Sequence, residues 1–309
     1  MILENLMNRA LRKVRKVSRI VLWHTVLKAK RTVTVRTKQG VFTVLTADDF
    51  VGKSLFCFEH HEKDWMESVV KFLRSIGKCP PEGQGTMMDI GANNGCISVG
   101  MLLLNKLDKS IAIEPDPSNF YLLERNVEQN GLTGKIFCLP YAVSSEIGVM
   151  ELELSEVNSG DHRIRMSVGA DVPENHHESR RKILGVKALP VDVILADLPE
   201  DLVRDISLIW IDVQGHEGFA FEGAKKLLER DIPVVSEFWP YGIRRAGMSE
   251  NEFIDIAKKF WSKYWLVRDE GGIEKFIQYP IDSLSDLFKE IGYADSEKGN
   301  SVGNIIFMK

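Results

Sequence analysis

The stretch "MMDIGANNGC", Met87–Cys96, reads as a strand running into a glycine-containing turn and on into a helix. What that bend can hold decides the fold. A dinucleotide fingerprint needs Gly-x-Gly-x-x-Gly. Counting from Gly91, the third position is Asn93 and the sixth is Cys96, so two of three places fail. No Gly-Lys-Ser/Thr follows, so a phosphate loop fails as well. Asp89 stands where strand becomes turn, and a carboxylate there repels a pyrophosphate. It suits a cationic ligand without phosphate, such as S-adenosylmethionine with its sulfonium and ammonium groups. Gly91 and Gly95, with the small Ala92 between, would let the backbone approach a ligand closely. Asn93 or Asn94 can cap the helix that follows. Taken alone, the turn could equally be an ordinary strand-to-helix bend.

The next block, "IAIEPDPSNFYLLERNVEQNG" (111–131), adds a second acid at a strand tip. Glu114 ends that strand, 23 residues after Gly91. A carboxylate there can accept both ribose hydroxyls of an adenosine. Pro115 follows it. Asp116 is a natural N-cap with Pro117 at the first helical position. Phe120, Leu123 and Val127 give the helix a buried face, and Asn130-Gly131 ends it.

Outward from these blocks, strands at 86–90, 110–114, 135–139, 207–212 and 232–237 alternate with helices at 94–105, 117–130 and 217–230. That alternation predicts a mostly parallel sheet covered on both faces. Residues 140–205 break it, with a strand at 147–154 and a polar loop at 155–182. The tail adds a helix at 249–263 and strands near 264–268 and 303–308. Before the sheet, "TVTVRTKQGVFTVLT" (32–46) reads as a hairpin turning at Gln39-Gly40, and 60–76 as a helix. The Pro/Gly stretch 78–85 sets a boundary between an extension, 1–78, and a main domain, 79–309.

The chain has 309 residues, 44% hydrophobic and 27% charged, a soluble globular profile. Its four cysteines form no Cys-x-x-Cys pair, which argues against a zinc knuckle or disulfide framework and fits a reducing compartment. No apolar run approaches the roughly 20 residues that span a bilayer. The start lacks a secretory signal pattern, so a cytoplasmic protein is expected. Charge is uneven. Residues 1–40 carry eleven basic residues against one acid, Glu4, a net of +10; the whole chain is −4, so the rest is −14. Leu3, Leu6, Met7, Ala10, Val14, Val17 and Val21 recur at helical spacing, with Arg9, Arg12, Arg15, Lys16 and Arg19 on the other side. Residues 3–21 therefore read either as an interfacial helix on an anionic membrane or as a helix packed on its own domain or a second subunit. A nucleic-acid partner is the weaker option, since Trp23 is the only aromatic in the arm.

Six blocks taken together resemble one family. "DIGANNG", "IEPDPSNFYLLERNVEQNG", "AVSS" (142–145), "NSGDHR" (158–163), "IDVQGHEGFAFEGA" (211–224) and "VVSEFWP" (234–240) occur in the order and spacing of the FkbM family of S-adenosylmethionine-dependent methyltransferases. The resemblance runs from about Gly52 to Tyr241. It implies a class I methyltransferase, Rossmann-like fold, with a seven-stranded sheet whose last strand is antiparallel. It also implies O-methylation of a sugar hydroxyl in a surface glycan, or of a secondary metabolite. The expected cofactor contacts are the two acid-bearing turns with Ala142 and Asp212. In one departure, Trp210 stands where members often carry Lys. Gln214 and His216 replace a Glu and a small or aromatic residue.

Removing a proton from a hydroxyl calls for a general base. The fourth strand tip offers Asp212, His216 and Glu217, and the fifth offers Glu237. Asp212 is expected to face the methyl group, His216 to be the base by its ordinary pKa, and Glu237 to orient substrate or the methionine end of the cofactor. Glu217 suits the helix N-terminus. His162 is a weaker substrate contact. The pairs His60-His61 and His176-His177 read as exposed. A cation held by Asp212, His216 and Glu237 is conceivable, but no spacing compels one, so no metal is expected. The absence of an Asn/Asp-Pro-Pro-Tyr/Phe motif argues against base N-methylation. Ribose methylation of RNA and a non-catalytic binding role remain the rivals.

Overall fold

The structure is a computed structural model. It describes residues 2–165, 176, 178–269, 274–292 and 303–309, with backbone only for 2–12 and 269. Two strands, β1 (Thr32–Thr37) and β2 (Gly40–Leu45), form an antiparallel hairpin. The strands of the main sheet that carry the early motifs are β3 (Thr86–Ile90), β4 (Lys109–Ile113) and β5 (Ile136–Leu139). A four-stranded sheet follows: β6 (Ala142–Val143), β7 (Gly148–Leu154), β8 (Arg163–Arg165) and β9 (Lys182–Leu189). The main sheet resumes with β10 (Ile206–Ile211), β11 (Val234–Phe238), β12 (Lys263–Asp269), β13 (Glu274–Pro280) and β14 (Gly303–Met308).

The main sheet runs β13-β12-β14-β11-β10-β3-β4-β5. The five strands from β5 to β11 are parallel, and β14, last in the chain, lies antiparallel between β11 and β12. This is the class I methyltransferase arrangement with its antiparallel last strand. An eighth strand, β13, widens it at the edge, where seven were expected. Period-two alternation splits the sheet's side chains between two cores. Met88, Ile111, Ile209 and Phe307 face one, under the helices Glu217–Glu222 and Glu250–Phe260. Met87, Ala112, Leu208 and Ile306 face the other.

That second core also contains Trp23, Phe42, Leu55 and Met66, so the extension and the sheet share one apolar cluster. The hairpin turns at Lys38-Gln39, one residue earlier than its sequence suggests. Amides on the helix Pro117–Gln129 and its C-cap hold it. Asn126 Oδ1 accepts from the Thr43 N–H at 2.7 Å, and Asn130 Oδ1 from the Val41 N–H at 2.8 Å. Asp116 caps that helix as expected, its Oδ1 accepting from the N–H groups of Ser118 and Asn119. The expected helix 60–76 is Lys63–Ser75, preceded by a separate helix, Val51–Phe58. Glu59 and Glu62 lie between them in left-handed conformations. The expected helix 217–230 breaks at Gly223-Ala224 into two pieces, Glu217–Glu222 and Lys225–Leu228.

Candidate functional site

Strands β3, β4 and β10 end side by side, which brings their C-terminal turns to one edge of the sheet. Open α/β sheets bind ligands at that edge. The cleft there encloses about 920 Å³, part of it open to solvent. Two close approaches shape it. Gly91 has φ +87°, and a Cβ on it would stand 1.8 Å from the Asp212 carbonyl oxygen. Only glycine lets the β10 turn seat against the β3 turn this way. Asn93 and Gln214, one in each turn, also hold left-handed conformations, φ 50° and 56°. Strained polar residues of this kind concentrate at ligand sites.

The two acid-bearing turns are tied together. Glu114 accepts from the Asn93 N–H at 2.8 Å with Oε2 and from the Asp116 N–H at 2.9 Å with Oε1. Burial nonetheless pushes its carboxyl up to about 8. Asp89 is buried below the turn and accepts from the Ser98 hydroxyl at 2.5 Å. Burial raises it to about 7, against the pull of that hydrogen bond. Asp89, Gly91, Ala92, Asn93, Glu114, Pro115, Ala142 and Asp212 line the cleft. Asn94, Gly95 and Asp116 do not. Asn94 accepts from the Asn126 amide through its carbonyl, Gly95 opens the helix Cys96–Leu103 against Leu123, and Asp116 is occupied as a cap. These three build the turns instead of facing the cleft.

The β10 tip holds the carboxylates. Gln214 bridges two of them, its Nε2–H₂ donating to Asp212 Oδ1 at 2.7 Å and to Glu237 Oε2 at 3.0 Å. Glu217 Oε1 accepts from the N–H groups of Val213 and Gly215. Its Oε2 is buried with no hydrogen-bond partner. One oxygen from each of Asp212, Glu217 and Glu237 lies within 4.8 Å of the others, the one such group with metal-holding geometry among the described residues. His216 is not in it, so the cation set weighed from the sequence is replaced by one with Glu217. Burial raises Asp212 to about 6 and Glu217 to about 7, and lifts Glu237 well above the carboxylate range; repulsion from Glu62 adds at Asp212, from Asp212 at Glu217, and from Asp212, Glu217 and Glu62 at Glu237. Glu237 faces a second, adjoining cavity, with Glu62, Trp65 and Asn304.

The histidines fall differently from expectation. His216 reaches the cleft but is only 1% exposed, stacked on Phe219, with Nε2 3.0 Å from the Ser144 hydroxyl. Burial drops it to about 3, which makes it a weak base. His61, read as exposed, lines the cleft instead. Burial lowers its pKa, opposed by the nearby carboxylates of Asp48 and Asp212. The left-handed Glu62 that turns the chain into the cleft leaves no local sequence signature, so periodicity could not find it. His162 also lines the cleft, accepting from the Ser155 N–H through Nδ1 at 3.1 Å. His176 packs its ring against Trp239 and Tyr241, and His177 lies outside the described residues.

The loop 155–182, read as solvated, is partly a wall. Its residues 166–175 and 177 lie outside the described residues. Within it, Arg163 pairs with Asp161 at 2.7 Å and with Glu178 at 3.2 Å, and the Tyr241 hydroxyl donates to Glu178 Oε1 at 2.6 Å. The four-stranded sheet contributes Ala142, Val143, Leu152 and Ile164 to the cleft.

A class I methyltransferase fold with its acids at the strand tips is therefore what the chain presents. Residues 89–265 match the methyltransferase FkbM domain, more than half of the chain, and the chain belongs to that family. It is a methyltransferase. A 2-O-methyltransferase, NoeI of Sinorhizobium fredii, is 23% identical over 195 residues, which cover 62% of this chain and 79% of that protein. Among solved structures, methyltransferase FkbM from Methylobacillus flagellatus is 15% identical with a TM-score of 0.41, covering 94% of this chain and 59% of that one. TYW2 of P. horikoshii, in complex with MeSAdo, is 11% identical with a TM-score of 0.40, covering 90% and 72%.

Proposed function

We propose that the protein transfers a methyl group from S-adenosylmethionine to a hydroxyl, of a sugar in a glycan or of a secondary metabolite. The observation that carries this reading is the set of acids along the cleft. Asp89, Glu114 and Asp212 line it together. A ligand with positive charges favours their ionised forms and is held by them, whereas a pyrophosphate is repelled by each acid that ionises. The residues fit the cofactor. Glu114 sits where a carboxylate accepts ribose hydroxyls, and Gly91, Ala92 and Asn93 offer backbone close to the ligand. When bound, the sulfonium supplies an electrophilic methyl carbon.

The chain's own residues then position the acceptor and move its proton. Productive transfer needs the acceptor oxygen about 3 Å from that carbon and in line. Asp212, at the junction of the two cavities, is suited to orient the hydroxyl. Neutral His61, next to Asp212, is suited to take the proton at an imidazole nitrogen, with the carboxylate stabilising the imidazolium that forms. Glu237, held through Gln214, faces the acceptor side. His216 is a packing residue, stacked on Phe219 and paired with the Ser144 hydroxyl. The similarity to NoeI, a 2-O-methyltransferase, favours a 2-hydroxyl as the acceptor.

A panel of free and lipid-linked sugars, incubated with the chain and S-adenosylmethionine and read by mass spectrometry, tests the proposal. A single added methyl on oxygen is expected. Methylation confined to RNA ribose, or none on any hydroxyl despite cofactor binding, would overturn it.

A further inference from the structure

We propose that the N-terminal helix docks the protein on an anionic lipid bilayer, with its apolar stripe in the interface. The helix runs Ile2–His24. It packs on the body by the side opposite that stripe. Trp23 is fully buried, and its indole N–H donates to Asp49 Oδ1 at 2.9 Å. Arg19 and Arg15 both pair with Glu59, and the Arg19 guanidinium and Lys16 ammonium lie over Phe56 and Phe58. The stripe itself faces out. Val14, Val17 and Val21 are 66%, 54% and 55% exposed. In sequence it continues through Ala10, Met7 and Leu3, whose side chains lie outside the described residues. Over its described side chains, 13–24, the helix therefore does not bury its apolar stripe against its own domain. No described helix is long and apolar enough to cross a membrane, and this one carries six basic residues from Arg9 to Arg19.

Charge selects the occupant. Residues 1–40 carry a net +10 on a chain that is −4 overall. Lys13 flanks the stripe one helical step from Val14 and Val17 and is exposed, and Lys30 and Arg31 are exposed just beyond the helix. An amphipathic helix with basic flanks is what binds an anionic interface. Pairing the stripe with that of a second copy would bring two such +10 arms together, which like-charge repulsion opposes.

The docking also sets where the cleft lies. Glu59, the anchor of Arg15 and Arg19, is two residues from His61, within about 7 Å along the chain. His61 and Glu62 line the cleft. With the helix between body and bilayer, the rim of the cleft is held near the membrane surface, where a lipid-linked acceptor would present its hydroxyls. The docking itself does not depend on which acceptor is methylated.

Flotation of the full chain with vesicles tests it. With about 30 mol% phosphatidylglycerol in phosphatidylcholine, the protein should float. With phosphatidylcholine alone it should stay at the bottom, and about 0.5 M salt should weaken flotation at least tenfold. The double variant Val17→Asp, Val21→Asp should lose flotation while binding S-adenosylhomocysteine as the wild type does, since neither position lines the cleft. Failure of the wild type to float with anionic vesicles would overturn the proposal, as would unchanged flotation of the double variant. Concentration-dependent self-association abolished by the same variant, without flotation, would assign the stripe to a second copy instead.

Discussion

The turn after β3 and the turn after β10 meet across the cleft, are built alike, and differ in what they leave unsatisfied. Each contains one left-handed polar residue, Asn93 or Gln214, and one glycine pressed against neighbouring backbone. A Cβ on Gly91 would strike the Asp212 carbonyl, and one on Gly215 would lie 2.1 Å from the Gly242 carbonyl carbon. At the first turn and the adjoining β4 tip the acids are consumed by backbone and hydroxyl donors: Glu114 by Asn93 and Asp116, Asp89 by Ser98. At the second, three carboxylates, Asp212 and Glu217 with Glu237 of β11, crowd together around the Gln214 amide, and Glu217 Oε2 has no hydrogen-bond partner. A satisfied turn is suited to hold a ligand, and a crowded one to act on it.

The largest effect should come from breaking the contact between the turns. Gly91→Ala forces a β-carbon into the Asp212 backbone at a positive φ. It should cost about 3–5 kcal/mol of stability and abolish cofactor binding. Thermal unfolding and calorimetry read both. A variant that melts within a few degrees of wild type would mean the two turns are not seated as described.

Next, the two turns should separate by variant. Glu114→Ala removes a carboxylate that holds two backbone N–H groups, and should weaken S-adenosylmethionine binding at least tenfold. Asp212→Asn should leave the dissociation constant within a few-fold yet lower turnover by about 10²–10⁴. Equal losses of binding and turnover in both variants would dissolve the distinction.

The same comparison predicts a pH dependence. Asp89 and Glu114 stand at about 7 and 8, above their ordinary 3.8 and 4.5. Each binds its proton more tightly folded than unfolded. Their contribution to the stability of the unliganded chain therefore falls as pH rises from about 4 toward 8. A cationic ligand favours the ionised forms, so affinity should rise over pH 6–8.5 with proton release. Calorimetry in buffers of different ionisation enthalpy measures that release.

The smallest effect should be at His216. His216→Gln loses the contact with Ser144 and should cost about 1–2 kcal/mol in stability while keeping most turnover. His61→Gln should lower turnover more than tenfold and flatten the acidic limb of its pH profile. If the two results are reversed, the base is His216.

What was legible in the sequence was local. The β3 turn, Glu114 and the Asp116-Pro117 cap each declare themselves within a few residues. The strands that carry them fall within a residue or two of where alternation puts them. What was not legible depends on partners far along the chain. β9 lies, but for Lys182, in a stretch given no element at all, because its pairing with β7 is antiparallel across 28 residues and more. His61 looks like one of two exposed histidines until Glu59 and Glu62 turn the chain into the cleft. His216 looks like a base until burial against Phe219 and Ser144 removes its affinity for protons. Glu217 looks like a helix-stabilising acid until Asp212 and Glu237 crowd against it.

The most direct test of the central claim is a calorimetric titration of the full chain with S-adenosylmethionine and, separately, with NAD. Acid-lined strand tips without a dinucleotide turn predict one bound S-adenosylmethionine per chain and no NAD. Binding of NAD, or the absence of any heat with S-adenosylmethionine at millimolar concentration, would contradict it.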